Sequence, residues 1–231
     1  MSSLLAPRRR RGVELLDDPS VAPEVMTRSM RDVERANHIF GGMRAALAEL
    51  EPTFSELPAS ATMLDVGTGA GDIAESARAS AASHGVALKT IGFDSSEALL
   101  SGHRARNDCV VVGKALQLPF ANRSVDIIMC SQLLHHFPES DAVELIREMN
   151  RVARIRVVIS DLRRSWMAAG GLWLASFVLG FHSVSRHDGV VSIMRGFLPR
   201  ELAALVGSAI GQPSEARQRL GFRVTTSWRP R

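Results

Sequence analysis

The stretch Leu64-Asp65-Val66-Gly67-Thr68-Gly69-Ala70-Gly71-Asp72 constrains the fold more than any other part of the chain. A short apolar run enters a turn with glycine at every second position, and a helical pattern leaves it. Glycine lets the backbone take a positive φ and come close to a ligand. The first turn of the following helix presents N–H groups with no partner inside the helix, a ready site for a polar ligand end. The spacing is Gly-x-Gly-x-Gly. A dinucleotide fingerprint needs Gly-x-Gly-x-x-Gly, and its third glycine would fall at Asp72. Asp65 and Asp72 flank the turn, so a ligand end with an ammonium or sulfonium group suits it better than a pyrophosphate.

From this turn onward strand and helix patterns alternate, as in a parallel sheet with crossover helices. The apolar runs predict strands at Thr62–Val66, Leu88–Phe93, Cys109–Val112, Val125–Cys130 and Val157–Asp161. Between them, helices are expected over Asp72–His84, Ser96–Arg106 and Asp141–Ala153, and a later one over Leu198–Ile210 opened by Pro199. Val125–Cys130 is nearly all apolar, as in a strand covered on both faces. Glu215–Leu220 and Phe222–Trp228 can form an antiparallel hairpin around Gly221. The expected fold is α/β: a doubly wound, mostly parallel seven-stranded sheet with an N-terminal helical extension and an antiparallel C-terminal hairpin. Residues 1–20 read as a disordered basic arm. Residues 21–58 read as a helical cap, divided at Gly41-Gly42 and closed by Pro52 and Pro58. The main domain spans 59–231, with 163–197 an insertion covering the substrate.

A length of 231 residues, 45% hydrophobic and 23% charged, suits one globular core. The net charge is +4, and of 28 basic residues all but Lys89 and Lys114 are arginine. Only Arg8 to Arg11 form a run, and no aromatic-rich basic platform accompanies it, so nucleic acid is not an expected partner. Cys109 and Cys130 form neither a disulfide framework nor a metal cluster, so no metal is expected and a reducing, cytoplasmic setting is. No apolar segment follows the basic run as a secretory signal requires. The longest apolar stretch, Trp166 to Phe181, spans about 24 Å as a helix. That is short against a bilayer core of about 30 Å.

Asp94 ends the second strand, where an acid can accept both hydroxyl hydrogens of a ribose. It can equally cap the next helix, a task also open to Ser95 or Ser96. Together with the glycine turn, Leu118-Pro119-Phe120 and Val125-Asp126-Ile127-Ile128-Met129-Cys130-Ser131 followed by Leu134-His135-His136-Phe137, this chain resembles the class I S-adenosylmethionine-dependent methyltransferases over residues 60–161. That segment is also similar to the ubiquinone/menaquinone branch. Arg163 to Arg195 is similar to methyltransferases found beside polyketide synthases.

The resemblance implies S-adenosylmethionine as cofactor. Gly67 and Gly69 would line its methionine end with Asp65 near the ammonium, and Asp94 would hold the ribose. Ser95 and the Lys114-Ala115 pair would border the adenine, and Ser131 the methionyl side. Family members often carry an acid at the position of Lys114, and lysine cannot accept the adenine amino group's hydrogen bond. The expected acceptor is an oxygen or carbon of an apolar small molecule: a phenol, a quinone precursor or a polyketide-like compound. The sulfonium is already an activated methyl donor, so most of the work is alignment and water exclusion. A base is needed only for a protonated acceptor. His136, His135 and His187 are the candidates, each with a packing or capping role as the alternative. Arg163 and Arg195 can bind an acidic substrate group, and Trp173 can wall an apolar pocket. Trp166–Phe181 reads as a buried helix or a cover over that pocket, open to peripheral contact with a membrane. A catalytically silent module that binds cofactor or a protein partner is the other reading.

Overall fold

The computed structural model describes residues 6–10, 12–18, 20–102 and 104–231. Two helices come first, α1 (Pro23–Ile39) and α2 (Gly42–Phe54), separated at the glycine pair as expected. Pro52 does not close the second helix, which runs through it for two more residues. Proline removes one backbone hydrogen bond there, but Thr53 and Phe54 are buried, and their packing holds the last turn.

The sheet is built from β1 (Ser60–Val66), β2 (Ala87–Asp94), β3 (Cys109–Val112), β4 (Val125–Ser131), β5 (Ala153–Leu162), β6 (Arg217–Arg219) and β7 (Arg223–Trp228). Their order is β3-β2-β1-β4-β5-β7-β6. The first five run parallel, and β7 pairs antiparallel with both β5 and β6. β4 is buried along nearly its whole length, which explains its unbroken apolar sequence. One layer of core joins Leu64, Val66, Ile128 and Ile159 to helices α5 (Glu139–Val152) and α8 (Pro199–Ile210). The opposite layer joins Met63, Ile127, Met129 and Val158 to α2 and α3 (Asp72–Ser83).

The helix expected over Ser96–Arg106 is shorter. α4 covers Glu97–Gly102, and a 3-10 turn follows at Arg104–Arg106. The 163–197 region forms two helices, α6 (Trp166–Val178) and α7 (Ser183–Arg195), packed on each other. Among the described residues no helix is long and apolar enough to cross a membrane.

The N-terminal arm differs most from expectation. Its described part, 6–10 and 12–18, is packed along α7; residues 1–5, Arg11 and Pro19 lie outside the described residues. Arg164 donates from Nε to the Pro7 carbonyl at 2.7 Å, and the Arg10 N–H donates to Met194 O at 3.1 Å. Asp188 accepts the N–H groups of Leu15 and Leu16 at 2.8 and 2.9 Å, which ties a 3-10 turn at Leu15–Asp17 to α7. Every one of these partners lies more than 150 residues away, so local composition could not reveal them.

α2 is locked to the C-terminal hairpin by one buried carboxylate. Glu49 accepts from Arg219 at 2.6 Å, Thr225 at 2.9 Å and Ser227 at 3.0 Å. Burial alone would raise its pKa, but these partners hold it below the ordinary carboxylate range. Glu49→Ala leaves the partners unpaired and is expected to cost roughly 3 kcal/mol or more in urea unfolding. Because the folded pKa is depressed, the wild type should lose this contribution as pH falls below the usual glutamate range.

Candidate functional site

The chain reverses its direction of growth across the sheet between β1 and β4, whose carboxyl ends therefore border an open crevice. A cavity of about 870 Å³ lies there. One end is lined by Asp65, Gly67, Thr68, Gly69, Asp72, Asp94 and Ser95; the other by Leu133, His135, His136, Phe137, Leu172 and Phe181.

The glycine turn behaves as its spacing predicts. Gly69 has φ +51°, and a Cβ built there would meet nothing within 4 Å. The turn is thus held open on the cavity side. Asp94 accepts the Gly69 N–H at 3.1 Å through one oxygen and the Ser96 N–H at 3.0 Å through the other. Asp94 thus braces the turn, while Ser96 Oγ caps α4 by accepting the Leu99 N–H at 3.3 Å, and each Asp94 oxygen keeps a lone pair for a ligand hydroxyl. Asp65 is buried and accepts from the Thr68 hydroxyl at 2.9 Å. Burial pushes its pKa up to about 7; the Thr68 hydrogen bond opposes this, and the fields of Asp72 and Asp94 add to it. Asp72 is also raised by burial, and it accepts from Asn37 Nδ2 at 3.2 Å. The other end of that amide accepts from Gln132. Ser131 Oγ is buried without a partner and lines the cavity. An open cradle, hydroxyl acceptors and two acids beside it fit a ribose and an ammonium-bearing ligand end.

His135 and His136 lie on one 3-10 turn after β4, their rings 4.3 Å apart. A turn of this kind rotates about 120° per residue, and the two side chains go to different partners. His135 is 4% exposed, and its Nδ1 lies 2.7 Å from Asp161 Oδ1. Asp161 also accepts the backbone N–H groups of His135 and Leu162. Burial would raise the Asp161 pKa, but the His135 ring and these bonds hold it below the ordinary range. An ionised carboxylate only accepts, so Nδ1 carries a proton and donates to it, which in the neutral ring makes Nε2 the acceptor. That Nε2 is buried without a hydrogen-bond partner, 4.0 Å from Glu14 Oε1. His136 is more exposed; its Nδ1 lies 3.3 Å from Arg195 Nη1 and its Nε2 3.9 Å from Glu14 Oε2. Arg195 in turn pairs with Glu14 at 2.8 Å. Glu14, His135 and His136 present ligand atoms within 4.8 Å of one another, a spacing open to a divalent cation. The charge partner that Glu14 has here is the Arg195 guanidinium.

Several expected residues stand outside the cavity wall, which ends at Ser95, Ser96 and Leu99 and does not reach Lys114 or Ala115. Lys114 is exposed, and Ala115 packs on the main core. His187 points away, bonded to its neighbour Asp188 at 2.8 Å. Arg163 stacks over Phe222 at 5.0 Å. Arg195 stands behind the wall and contacts it through Glu14 and His136. Trp173 is 48% exposed and edge-on to Phe177, on the outer face of α6. The inner wall is Met167, Ala168, Gly171 and Leu172 instead, because the small residues of α6 face α7 and the cavity. Glu14, Asn37, Gln132 and Arg223 line the cavity with no sequence signal; each reaches it from a segment whose local pattern is ordinary.

Residues 63–155 match the family model described as a methyltransferase domain. The structure is similar to a SAM-dependent methyltransferase from Aquifex aeolicus, at 15% identity and TM-score 0.58, covering 92% of this chain and 100% of that one. It is similar to magnesium protoporphyrin IX methyltransferase from Synechocystis with bound SAH, at 14% identity and TM-score 0.56, covering 86% and 87%. It is also similar to human N-acetylserotonin methyltransferase in complex with SAM, at 12% identity and TM-score 0.59, covering 90% of this chain and 56% of that one. No curated protein matches the sequence. Residues 63–155 thus carry a methyltransferase domain, on the fold that these SAM- and SAH-bound structures share.

An ammonium-bearing ligand held against Asp65 would bind with a pH-dependent affinity. A cationic ligand end needs the ionised carboxylate, so affinity measured by calorimetry is expected to fall as pH drops through about 7, approaching tenfold per unit. The sign for stability is opposite. A raised folded pKa means the ligand-free protein loses stability as pH rises from the ordinary aspartate range towards 7. Asp65→Asn should therefore raise the melting temperature at pH 8 while weakening S-adenosylmethionine binding.

Proposed function

We propose that this methyltransferase transfers the methyl group to an oxygen or carbon of an apolar small molecule such as a phenol, with His135 receiving the acceptor's proton. The observation that carries the reading is the His135–Asp161 pair at 2.7 Å, with an unpartnered Nε2 on the wall of a largely apolar pocket. S-adenosylmethionine supplies an activated methyl on a sulfonium with a neutral leaving group. The chain's own work is to hold and align. Gly67 and Gly69 give backbone room at the methionine end, Asp65 and Asp72 face the ammonium, and Asp94 takes the ribose hydroxyls. Ser95, Ser96 and Leu99 border the adenine, and Ser131 the methionyl side. Leu133, Phe137, Leu172 and Phe181 exclude water around the acceptor. An acceptor hydroxyl between His135 Nε2 and Glu14 gives its proton to Nε2, and Asp161 stabilises the imidazolium that forms.

His135→Gln is expected to lower kcat on phenol and hydroquinone probes by roughly 10²-fold or more, with S-adenosylmethionine affinity unchanged. The loss should shrink at high pH, where a phenol ionises unaided. Asp161→Asn should act in the same direction. Wild-type turnover in His135→Gln would return His135 to a packing role and leave His136 as the base.

Peripheral contact with an anionic bilayer is a second element of the reading, supported by the outer face of α6. Trp166, Trp173, Leu174, Phe177 and Val178 stand exposed on one side of a helix that has no acidic residue. Arg10 lies over Trp166 and Arg186 over Phe177. An apolar arc with arginines at its rim suits a negative membrane surface. Trp228 is buried, so a blue shift of tryptophan emission on phosphatidylglycerol vesicles reports Trp166 and Trp173. The shift should vanish in Leu174→Glu/Val178→Glu. A concentration-dependent dimer lost in the same variant, with no vesicle binding by the wild type, would make this face a self-association surface.

A further inference from the structure

Arg223, the first residue of β7, is a buried charge for which the protein supplies no anion. It is 5% exposed, it lines the cavity, and its Nε is sealed from solvent without a partner. Among the described residues no hydrogen bond or ion pair reaches its guanidinium. Burial draws its pKa down to about 10, and Asp161 acts on it only through its field. The other buried arginines are treated differently. Arg164 pairs with Glu201, and Arg195 with Glu14 and the Gly12 carbonyl.

The fold makes room for this side chain. A Cβ on Gly42 would lie 3.1 Å from Arg223 Nη2, 3.3 Å from its Nε and 2.7 Å from Asn37 Oδ1. The glycine at the start of α2 is therefore a notch that admits the guanidinium beside the amide bridging Gln132 and Asp72. A guanidinium does not shed its proton, and a buried one is costly until an anion faces it. Its planar fork suits the two oxygens of a carboxylate.

We propose that Arg223 is the carboxylate receptor of the cavity. The acids Asp65 and Asp72 and the cation Arg223 line the same space, so the wall offers complements to both ends of an amino-acid zwitterion. Two molecules can bring the carboxylate: the methionine end of the cofactor, or an acid group on the acceptor. The proposal deepens the reading above and rests on its assignment of both ligands to this cavity. Its readouts are binding without turnover, so a failure to methylate phenols leaves them intact.

Calorimetric titration separates the sources. One pair of probes is S-adenosylmethionine and its decarboxylated analogue. The other is benzoate and benzyl alcohol, titrated into protein loaded with S-adenosylhomocysteine. The wild type is expected to prefer the carboxylate-bearing member of one pair by about 10- to 100-fold, the range of a hydrogen bond to a charged group. Arg223→Gln should erase that preference, and Arg223→Lys should keep part of it. Preference in the first pair assigns the carboxylate to the cofactor, and in the second to the acceptor. No preference in either pair, or one that survives intact in Arg223→Gln, overturns the proposal. Removing a lone buried charge should leave the melting temperature of Arg223→Gln at or above that of the wild type. Should that variant not fold, a full wild-type preference in Arg223→Lys overturns the proposal, because an ammonium cannot make the two-pronged bond.

Discussion

The parallel pairing of β1 with β4 is the constraint on which the site depends. The register sets Leu64 beside Ile128 and Val66 beside Cys130, and Ser131 beside Ser160 of β5. Three strand ends therefore finish side by side at Val66, Ser131 and Leu162. The crossover from β1 runs one way across the sheet, and the later strands add on the other side. No helix can cover the point of reversal, so a crevice opens there. Gly67, Gly69 and the His135-His136 turn follow directly from those ends.

Charge burial separates structure from site. Away from the crevice, buried charges are matched by the protein itself: Glu49 by Arg219, Arg164 by Glu201, Asp126 by Arg154. Around the crevice the matching is incomplete. Asp65 is held near neutrality by its surroundings, and Ser131 Oγ, His135 Nε2 and Arg223 Nε are all buried without partners and all line the cavity. Buried polar groups are normally paired. Ser29 Oγ, Asn107 Oδ1, Arg156 Nε and Arg163 Nε are unpaired away from the cavity as well, so it is the convergence of three such atoms on one wall that points to a ligand.

α6 and α7 close the histidine end of the cavity by an arrangement that relies on small residues. Ala168 and Ala169 are buried, and a Cβ on Gly189 would lie 2.6 Å from Leu172. Close approach of the two helices leaves the large side chains of α6 on the outside. The N-terminal segment then lies along α7 and inserts Glu14 between the two histidines and Arg195. One carboxylate thus couples the N-terminal segment to the histidine end of the pocket.

The sequence by itself determined the elements whose causes are local. The apolar run of β4 demanded burial on both faces, the alternating glycines demanded a turn open to a ligand, and Asp94 sits where strand end and helix start meet. These depend on residues a few positions apart, and so the sheet and the glycine-turn end of the cavity were legible. The tertiary structure alone decided the rest. It chose His135 over His136 for the carboxylate, because one turn sends adjacent side chains in different directions and Asp161 comes from a strand that follows 26 positions later. It turned Trp173 outward and ordered an arm whose composition reads as solvated. It also brought Arg223 to a notch at Gly42 on the far side of the chain. The contacts of the arm and of Arg223 join segments separated by 150 residues or more, and no local pattern records them, because each partner is ordinary until folding places it beside the other.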